Sequence, residues 1–360
     1  MDAAEFSQWL EGIGRLNGEQ IALAIAHLGE VGSRAGRSAE VVGNWPSLDT
    51  GLDEAGPTEE PRRRGALRIE RSVLANIGEH KVERLGCAHC GAHEIIGWGR
   101  SHGLPRYRCK SCRRTFNAAT KTAMARLRKK DRWLDQAQAM IEGVSLAKAA
   151  ERCGVHPTTA YRWRHRFLSA PALDKPQMLQ GIVEADETFI LESFKGRRSG
   201  LTREPRKRGG KARHPGNFFD NIPVLVARDR SGATTDAVLP EDTAVCITQA
   251  LAGAVSPANL LVCDGGRPLR AFARRAKIPL RVVPAPGKPL PGAPDIHINN
   301  VNAYHSRLKE WLRRFHGVAT KNLPNYLGWR RTLEASAEQT NPQTWLLGAL
   351  GLGAYQRLTR

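Results

Sequence analysis

Cys87-Ala88-His89-Cys90 and Cys109-Lys110-Ser111-Cys112 stand 18 residues apart, the spacing of a four-cysteine metal site. A Cys-x-x-Cys turn aims two thiolates at one ion, and the segment between the turns supplies strands that bring them together. Four thiolates complete a tetrahedral shell and leave no position for water, so the expected ion is one structural zinc per chain. A redox dithiol would need only one of the two pairs. His89, His93 and His102 are spare nitrogen donors, read as surface histidines because the thiolate set is already complete. Seven cysteines with no secretory leader do not suggest a disulfide framework, because the cytosol keeps thiols reduced.

Charge then narrows the partner. The 360 residues carry 55 Lys and Arg against 35 Asp and Glu, a formal net charge of +20. Such a balance calls for a polyanion. Anionic membrane is the rival to nucleic acid, yet no stretch approaches the roughly 18 continuous apolar residues of a spanning helix. Double-stranded DNA is therefore the expected partner, with a cytoplasmic, nucleoid-associated location and no membrane. Within the ribbon, Arg100, Arg106, Arg108, Lys110, Arg113 and Arg114 lie among Trp98, Tyr107 and Phe116. That mixture fits DNA contact, and any single one of these charges fits a solvated basic face.

A chain of this length predicts several units. Residues 1–32 read as an N-terminal helical segment, 33–76 as a flexible linker, 77–118 as the zinc ribbon and 121–170 as a helix-turn-helix. Residues 178–340 read as an α/β domain with a basic insertion at 195–217, and 341–360 as a C-terminal tail.

The helix-turn-helix is read from SLAKAAERCGVHPTTAYRWRHRF, residues 145–167. Ser145 can cap a first helix, Gly154 permits the left-handed turn, and Pro157 sits where a second helix begins and a missing N–H costs nothing. Trp133 to Ile141 supplies a supporting helix. The second helix is expected to turn Thr158, Thr159, Tyr161, Arg162, Arg164 and Arg166 outward, a set suited to the major groove. A hairpin that merely joins two domains is the alternative.

Beyond Pro176, GIVEADETFIL, IPVLVARD and ATTDAVLP read as three antiparallel strands, with a hairpin turn at Asp229-Arg230-Ser231-Gly232. Asp242 is placed to cap a helix running to about Val255. Short strands at Leu260–Cys263 and Leu280–Val283 then alternate with helices at Pro268–Ala276 and Val301–Phe315. Glu184 and Asp186 share a face of the first strand, where buried carboxylates call for cations. Asp264 ends the strand Leu261-Val262-Cys263 and precedes Gly265-Gly266, an acid at a strand's carboxyl end. Asn302 and Lys309 are two turns apart on one helix face.

VEADETF, LVCDGG and HINNVNAYHSRLKEWL, taken in order, resemble zinc-ribbon insertion-sequence transposases, a branch of the DDE transposases with an RNase H-like mixed-sheet catalytic domain. The resemblance covers most of the chain. It implies a catalytic set of Asp186, Asp264, Asn302 and Lys309, with Asn302 where the family has Asn or Glu. Asp186, Asp264 and Asn302 would hold two Mg²⁺ or Mn²⁺ ions for phosphoryl transfer on DNA, and Lys309 would contact phosphate. A neutral amide is a weaker ligand for a hard cation than a carboxylate, which leaves Asp295 as a competing third ligand. In the insertion, Arg197, Arg198, Arg206, Lys207, Arg208, Lys211 and Arg213 form a basic arm expected to be mobile until phosphates order it. Synapsis of two DNA ends implies a homodimer or larger complex. A DNA-binding regulator would leave the ordered acids unexplained, whereas a hydrolytic nuclease of the same fold would use the same site.

Overall fold

The computed structural model describes residues 73–353, except 102, 198, 202, 205–209, 211, 213–219, 285–287 and 336–340. The expected N-terminal helices and most of the expected linker lie outside the described residues. The linker's last residues do not remain irregular: a helix, α1, covers 73–85. Its inner face carries Leu74, Ile77 and Lys81 at helical spacing, all buried. The Lys81 ammonium donates to the carbonyls of Ala118 at 2.7 Å and Leu350 at 2.6 Å, and burial lowers its pKa to about 8.

The ribbon is a three-stranded antiparallel sheet of β1 (Ile95–Ser101), β2 (Leu104–Cys109) and β3 (Thr115–Phe116). A connector leads to three helices, α2 (Trp133–Ile141), α3 (Leu146–Arg152) and α4 (Pro157–Leu173). Their boundaries arise as the sequence suggests. Ser145 accepts from the Lys148 N–H, Gly154 sits at φ 57°, and Pro157 opens α4 behind a His156 cap. Trp133, Met140, Ala149, Ala160 and Phe167 fill the space between the helices.

The α/β domain is built on a five-stranded sheet: β4 (Ile182–Leu191), β5 (Asn221–Asp229), β6 (Thr234–Val238), β7 (Leu260–Cys263) and β8 (Leu280–Val282). The spatial order is β6-β5-β4-β7-β8, with β4, β5 and β6 antiparallel and β4, β7 and β8 parallel. This is the RNase H-like arrangement of the expected fold class. Alternate residues serve opposite layers. Val224 and Val226 join a core with α7 (Asn299–Arg313), while Val183, Ala185, Leu225 and Ala227 pack against α5 (Ala244–Leu251) and α6 (Arg267–Arg275). The cap of α5 is Thr243, whose hydroxyl accepts from Cys246, and not Asp242.

Two helices close the described chain, the second of them within the expected tail. α8 (Leu323–Ala335) and α9 (Pro342–Ala349) lie in the same core as the helix-turn-helix, with Trp329, Trp345 and Leu346 buried. The Trp329 indole N–H donates to the Met140 carbonyl at 3.0 Å. Gly328 lets α8 approach α4 closely, since a Cβ there would stand 2.5 Å from the Ala172 Cα. The Arg331 guanidinium is buried at the same junction. It donates to the carbonyls of Pro171 (2.9 Å), Ala172 (3.2 Å) and Asp174 (3.1 Å), and at 2.5 Å to the Asp236 carboxylate on β6.

Candidate active site

The site grows from the parallel pair at the centre of the sheet. Glu184 on β4 is in register with Val262 on β7, so Asp186 and Asp264 each lie two residues beyond that pair, at the same level of the sheet. Asp264 is exposed just past β7, where Gly265 turns the chain at φ 95°. A Cβ on Gly265 would also meet Val282 Cγ1 at 2.7 Å, so glycine is required on both counts. The Asp264 side chain accepts from the Gly266 N–H at 2.9 Å, which orients one carboxylate oxygen.

Asp186, Glu187 and Asp242 all lie within reach of the Asp264 charge, although among the described residues only the four ribbon cysteines bring their ligand atoms together as a metal-holding group. Burial raises the Asp186 pKa to about 6, and the negative charge of Asp264 adds to the shift. Glu187, on the other face of β4, is pushed up to about 8 by burial and then by Asp242, Asp186 and Asp264. Asp242 is raised as well, by burial and by Asp264. Buried Glu187 Oε1 and Asp242 Oδ1 have no hydrogen-bond partner. Carboxyl groups raised by burial and by a neighbouring acid, two of them with a buried oxygen left without a hydrogen bond, suit a hard divalent cation.

Glu187 and Asp242 were not among the expected ligands. Glu187 is visible in VEADETF but falls on the opposite face from Asp186. Asp242 arrives through the β6–α5 connection, which no spacing rule announces.

Helix α7 covers the Asp186 face. His305 Nδ1 lies 3.6 Å from Asp186 Oδ2, and burial, with the Lys309 charge behind it, lowers the imidazole pKa to about 4. Lys309 is exposed one turn further on and lies near enough for its charge to stabilise ionised Asp186. Asn302 is half-buried one turn before His305, and its side-chain amide makes no hydrogen bond among the described residues. His305 was also missed in sequence, although its place between Asn302 and Lys309 on one face marks it. Asp295 has an exposed side chain, and its backbone carbonyl is taken by Arg230.

Glu184 is buried and holds the start of α7. It accepts from the Val301 N–H at 2.9 Å and the Asn300 amide at 3.0 Å, with Arg230 paired to it and His297 Nδ1 at 3.3 Å. Beyond Lys309 a cavity of about 840 Å³ opens beside Phe189, Phe194, Lys195, Arg197 and Arg203. Arg203 is no mobile arm residue. Its guanidinium lies 4.7 Å from the Phe194 ring centroid and pairs with Glu192 and Asp220. Arg197 is exposed and donates to the Ser199 carbonyl, whereas Arg198, Arg206, Lys207, Arg208, Lys211 and Arg213 lie outside the described residues.

The four cysteines of the ribbon meet as expected, with ligand atoms all within 4.8 Å of one another. Cys87 and Cys112 sulfurs are 3.7 Å apart and Cys90 and Cys109 sulfurs 3.6 Å apart. A tetrahedral zinc with bonds of about 2.3 Å sets its sulfurs about 3.8 Å apart, whereas a disulfide needs about 2.05 Å. The Cys112 N–H, donating to Cys109 Sγ at 3.5 Å, helps to pull that thiol down to about 6.

On α4, Thr158, Tyr161, Arg162 and Arg166 are exposed and Thr159 is half-buried. Tyr161 accepts from the Asn322 amide at 2.9 Å, and Arg166 donates to the carbonyls of Ala123 (3.1 Å) and Ala125 (3.0 Å). Arg164 corrects the expected outward face. It is 4% exposed, donates to the Val144 carbonyl at 3.0 Å, and lies 5.2 Å from the Trp329 ring centroid and 5.8 Å from that of Phe315. Helix α8 and the end of α7 cover the side of α4 on which it stands.

An RNase H-like sheet with acids gathered at its parallel centre is thus joined to a helix-turn-helix and a four-cysteine ribbon. Residues 178–330 match the ISXO2-like transposase domain, and residues 126–173 match a homeodomain-like domain. Over 255 residues the chain is 32% identical to the uncharacterized protein in transposable element ISH50 of Halobacterium salinarum, a match covering 67% of this chain and 82% of that protein. The chain belongs to the ISXO2-like family of insertion-element transposases.

Solved structures of Mos1 transposase are similar at greater distance. The pre-cleavage transpososome shares 14% identity at a TM-score of 0.26, over 60% of this chain and 74% of that one. The paired end complex with Mn shares 13% identity at a TM-score of 0.25, over 82% and 95%. Among the described residues, no helix is long and apolar enough to cross a membrane.

Proposed function

We propose that this transposase binds the ends of its own insertion element and carries out DNA cleavage and strand transfer at Asp186, Asp264, Asn302 and Lys309. The observation that carries the proposal is the placement of Asp186 and Asp264 at one level of the sheet, with Asp186 pushed up in pKa by burial and by Asp264, and Glu187 by burial and by Asp242, Asp186 and Asp264. Such a site is incomplete without cations, and Mg²⁺ or Mn²⁺ suits its oxygen donors. Asp186, Asp264 and Asn302 would hold them, and the ions when bound would supply charge neutralisation at the phosphate and activation of the attacking oxygen. Lys309 holds phosphate by charge-assisted hydrogen bonds. Neutral His305 packs beside Asp186 and limits the directions that carboxylate can take.

The remaining modules serve DNA placement. Zinc on Cys87, Cys90, Cys109 and Cys112 would fix the ribbon, and Thr158, Thr159 and Arg162 would present the start of α4 to the major groove. Arg197, with the other cations of the insertion, would follow the strand past Lys309. Two copies or more would bring two DNA ends together, in the cytoplasm at the nucleoid.

The test is incubation of the full chain with duplexes carrying the DNA ends that flank its own gene, with Mg²⁺ or Mn²⁺. Cleavage at the element ends is expected, followed by joining of the freed 3′-hydroxyl to target DNA. Asp186→Asn and Asp264→Asn should each abolish both steps and leave DNA binding intact. Cleavage retained by either variant would overturn the assignment.

A further inference from the structure

We propose that the connector between the ribbon and the helix-turn-helix, residues 117–131, is a second DNA site that cradles backbone phosphates. This inference rests on the DNA-binding reading above; residues 126–131 fall at the start of the stretch matched to a homeodomain-like domain, and the proposal gives a contact to side chains that precede its helices. The connector lines a cavity of about 1040 Å³ with Lys121, Arg126, Arg128, Lys129 and Lys130, against one acid, Asp131. The cavity is bounded on its far side by α1 at Leu74 and by the β1–β2 turn at Gly103. It therefore lies where the connector passes α1 and the ribbon.

Three features show a built surface and not a solvated charge run. The first is backbone conformation. Lys121, Arg126 and Lys129 have φ of 59°, 62° and 49°, a left-handed region that disfavours a residue with a Cβ. Glycine would relieve that cost, and cations stand at all three positions.

The second is anchoring. Met124 is fully buried beneath the connector, and Arg166 of α4 donates to the carbonyls of Ala123 and Ala125 on either side of it. Lys129 donates to the Gly154 carbonyl at 3.0 Å, in the turn of the helix-turn-helix. The connector is thus bonded both to the exposed side of α4 and to the turn before it.

The third is the distribution of partners. Arg132, one residue past the cavity's acid, pairs with Asp131 and Asp135. Arg126 and Arg128 are exposed and make no ion pair or hydrogen bond among the described residues. Two unpaired guanidinium groups in a concave, cationic surface offer planar, bidentate donors to phosphate. A duplex meeting α4 at Thr158 and Arg162 continues past Arg166 towards this cavity.

Phosphates carry no sequence information, so the cradle should add affinity without adding discrimination. The experiment compares Asp186→Asn protein, unable to cut, with the same protein carrying Arg126→Ala and Arg128→Ala. Binding is measured against salt concentration on two duplexes of equal length, one with the element's end and one of scrambled sequence. Loss of two phosphate contacts should lower the slope of log K against log salt by about 1.8 on both duplexes. Arg126→Lys with Arg128→Lys should keep most of the slope, and zinc content and melting temperature should be unchanged in all variants.

An unchanged slope in the double-alanine protein would overturn the cradle. So would a loss confined to the element's end, because the two arginines would then be reading bases. If the parent protein bound neither duplex, the DNA-binding reading would fall first and the cradle with it.

Discussion

The Glu184 carboxylate accepts the backbone N–H of Val301 at 2.9 Å, and so a strand residue two positions before Asp186 fixes the helix that carries Asn302, His305 and Lys309. The Asn300 amide, Arg230 and His297 converge on the same carboxylate. Glu184→Ala should cost about 3 kcal/mol, because it leaves a guanidinium and a helix N–H without their partner. Glu184→Gln keeps one acceptor for the helix and should cost less. Chemical denaturation measures both, and an alanine variant as stable as wild type would remove Glu184 from this role.

Asn302 and Asp295 can be separated by one titration. Asn302→Ala should lower cleavage by orders of magnitude, since a cation would lose an oxygen donor, while Asn302→Glu should retain partial activity with a lower Mg²⁺ requirement. Asp295→Ala should leave the Mg²⁺ curve near that of wild type, given its exposed side chain. The reverse pattern would make Asp295 the third ligand.

For the ribbon, metal analysis should find about one zinc per chain. Cys87→Ser or Cys109→Ser should abolish it and lower the stability of the N-terminal half, with the α/β sheet still folded by circular dichroism. Protein made with zinc available yet holding none would refute the assignment.

Lys81 gives the fold a pH dependence with a definite sign. Its pKa is about 8 in the folded protein and 10.5 in a free lysine. Between those values the unfolded chain holds the extra proton, so stability rises with pH. The neutral amine still has two N–H groups for the Ala118 and Leu350 carbonyls. Relative to Lys81→Met, the melting temperature of the wild type should therefore improve from pH 7.5 to pH 10. A constant difference would mean that Lys81 titrates normally.

How much of this was legible in sequence depends on whether the cause was local. The cysteine spacing, Ser145, Gly154 and Pro157 act within a few residues, and each does in the structure what its chemistry suggests. Asp264 before two glycines was legible for the same reason. Arg164 was not, because its burial depends on Trp329 and Phe315, about 150 residues away, forming a second layer over α4. The α9 helix was hidden likewise. Its eight residues, PQTWLLGA, have a short apolar pattern that becomes a helix only against α2 and α4. Glu187 and Asp242 come within reach of the Asp264 charge through topology, which spacing along the chain does not record.

Arg331 has a consequence for how this enzyme measures DNA. One buried guanidinium bonds the last carbonyls of α4 to the Asp236 carboxylate on β6, and the Gly328 contact leaves no slack beside it. The helix proposed to read bases and the sheet proposed to cut are therefore joined as a ruler, not as two tools on a string. A ruler tolerates no change in the interval it marks. Adding or removing a few base pairs between the bound sequence and the cleavage point should move the cut by the same number of pairs, keeping its distance from the bound sequence, whereas a tethered enzyme would still find the original bond.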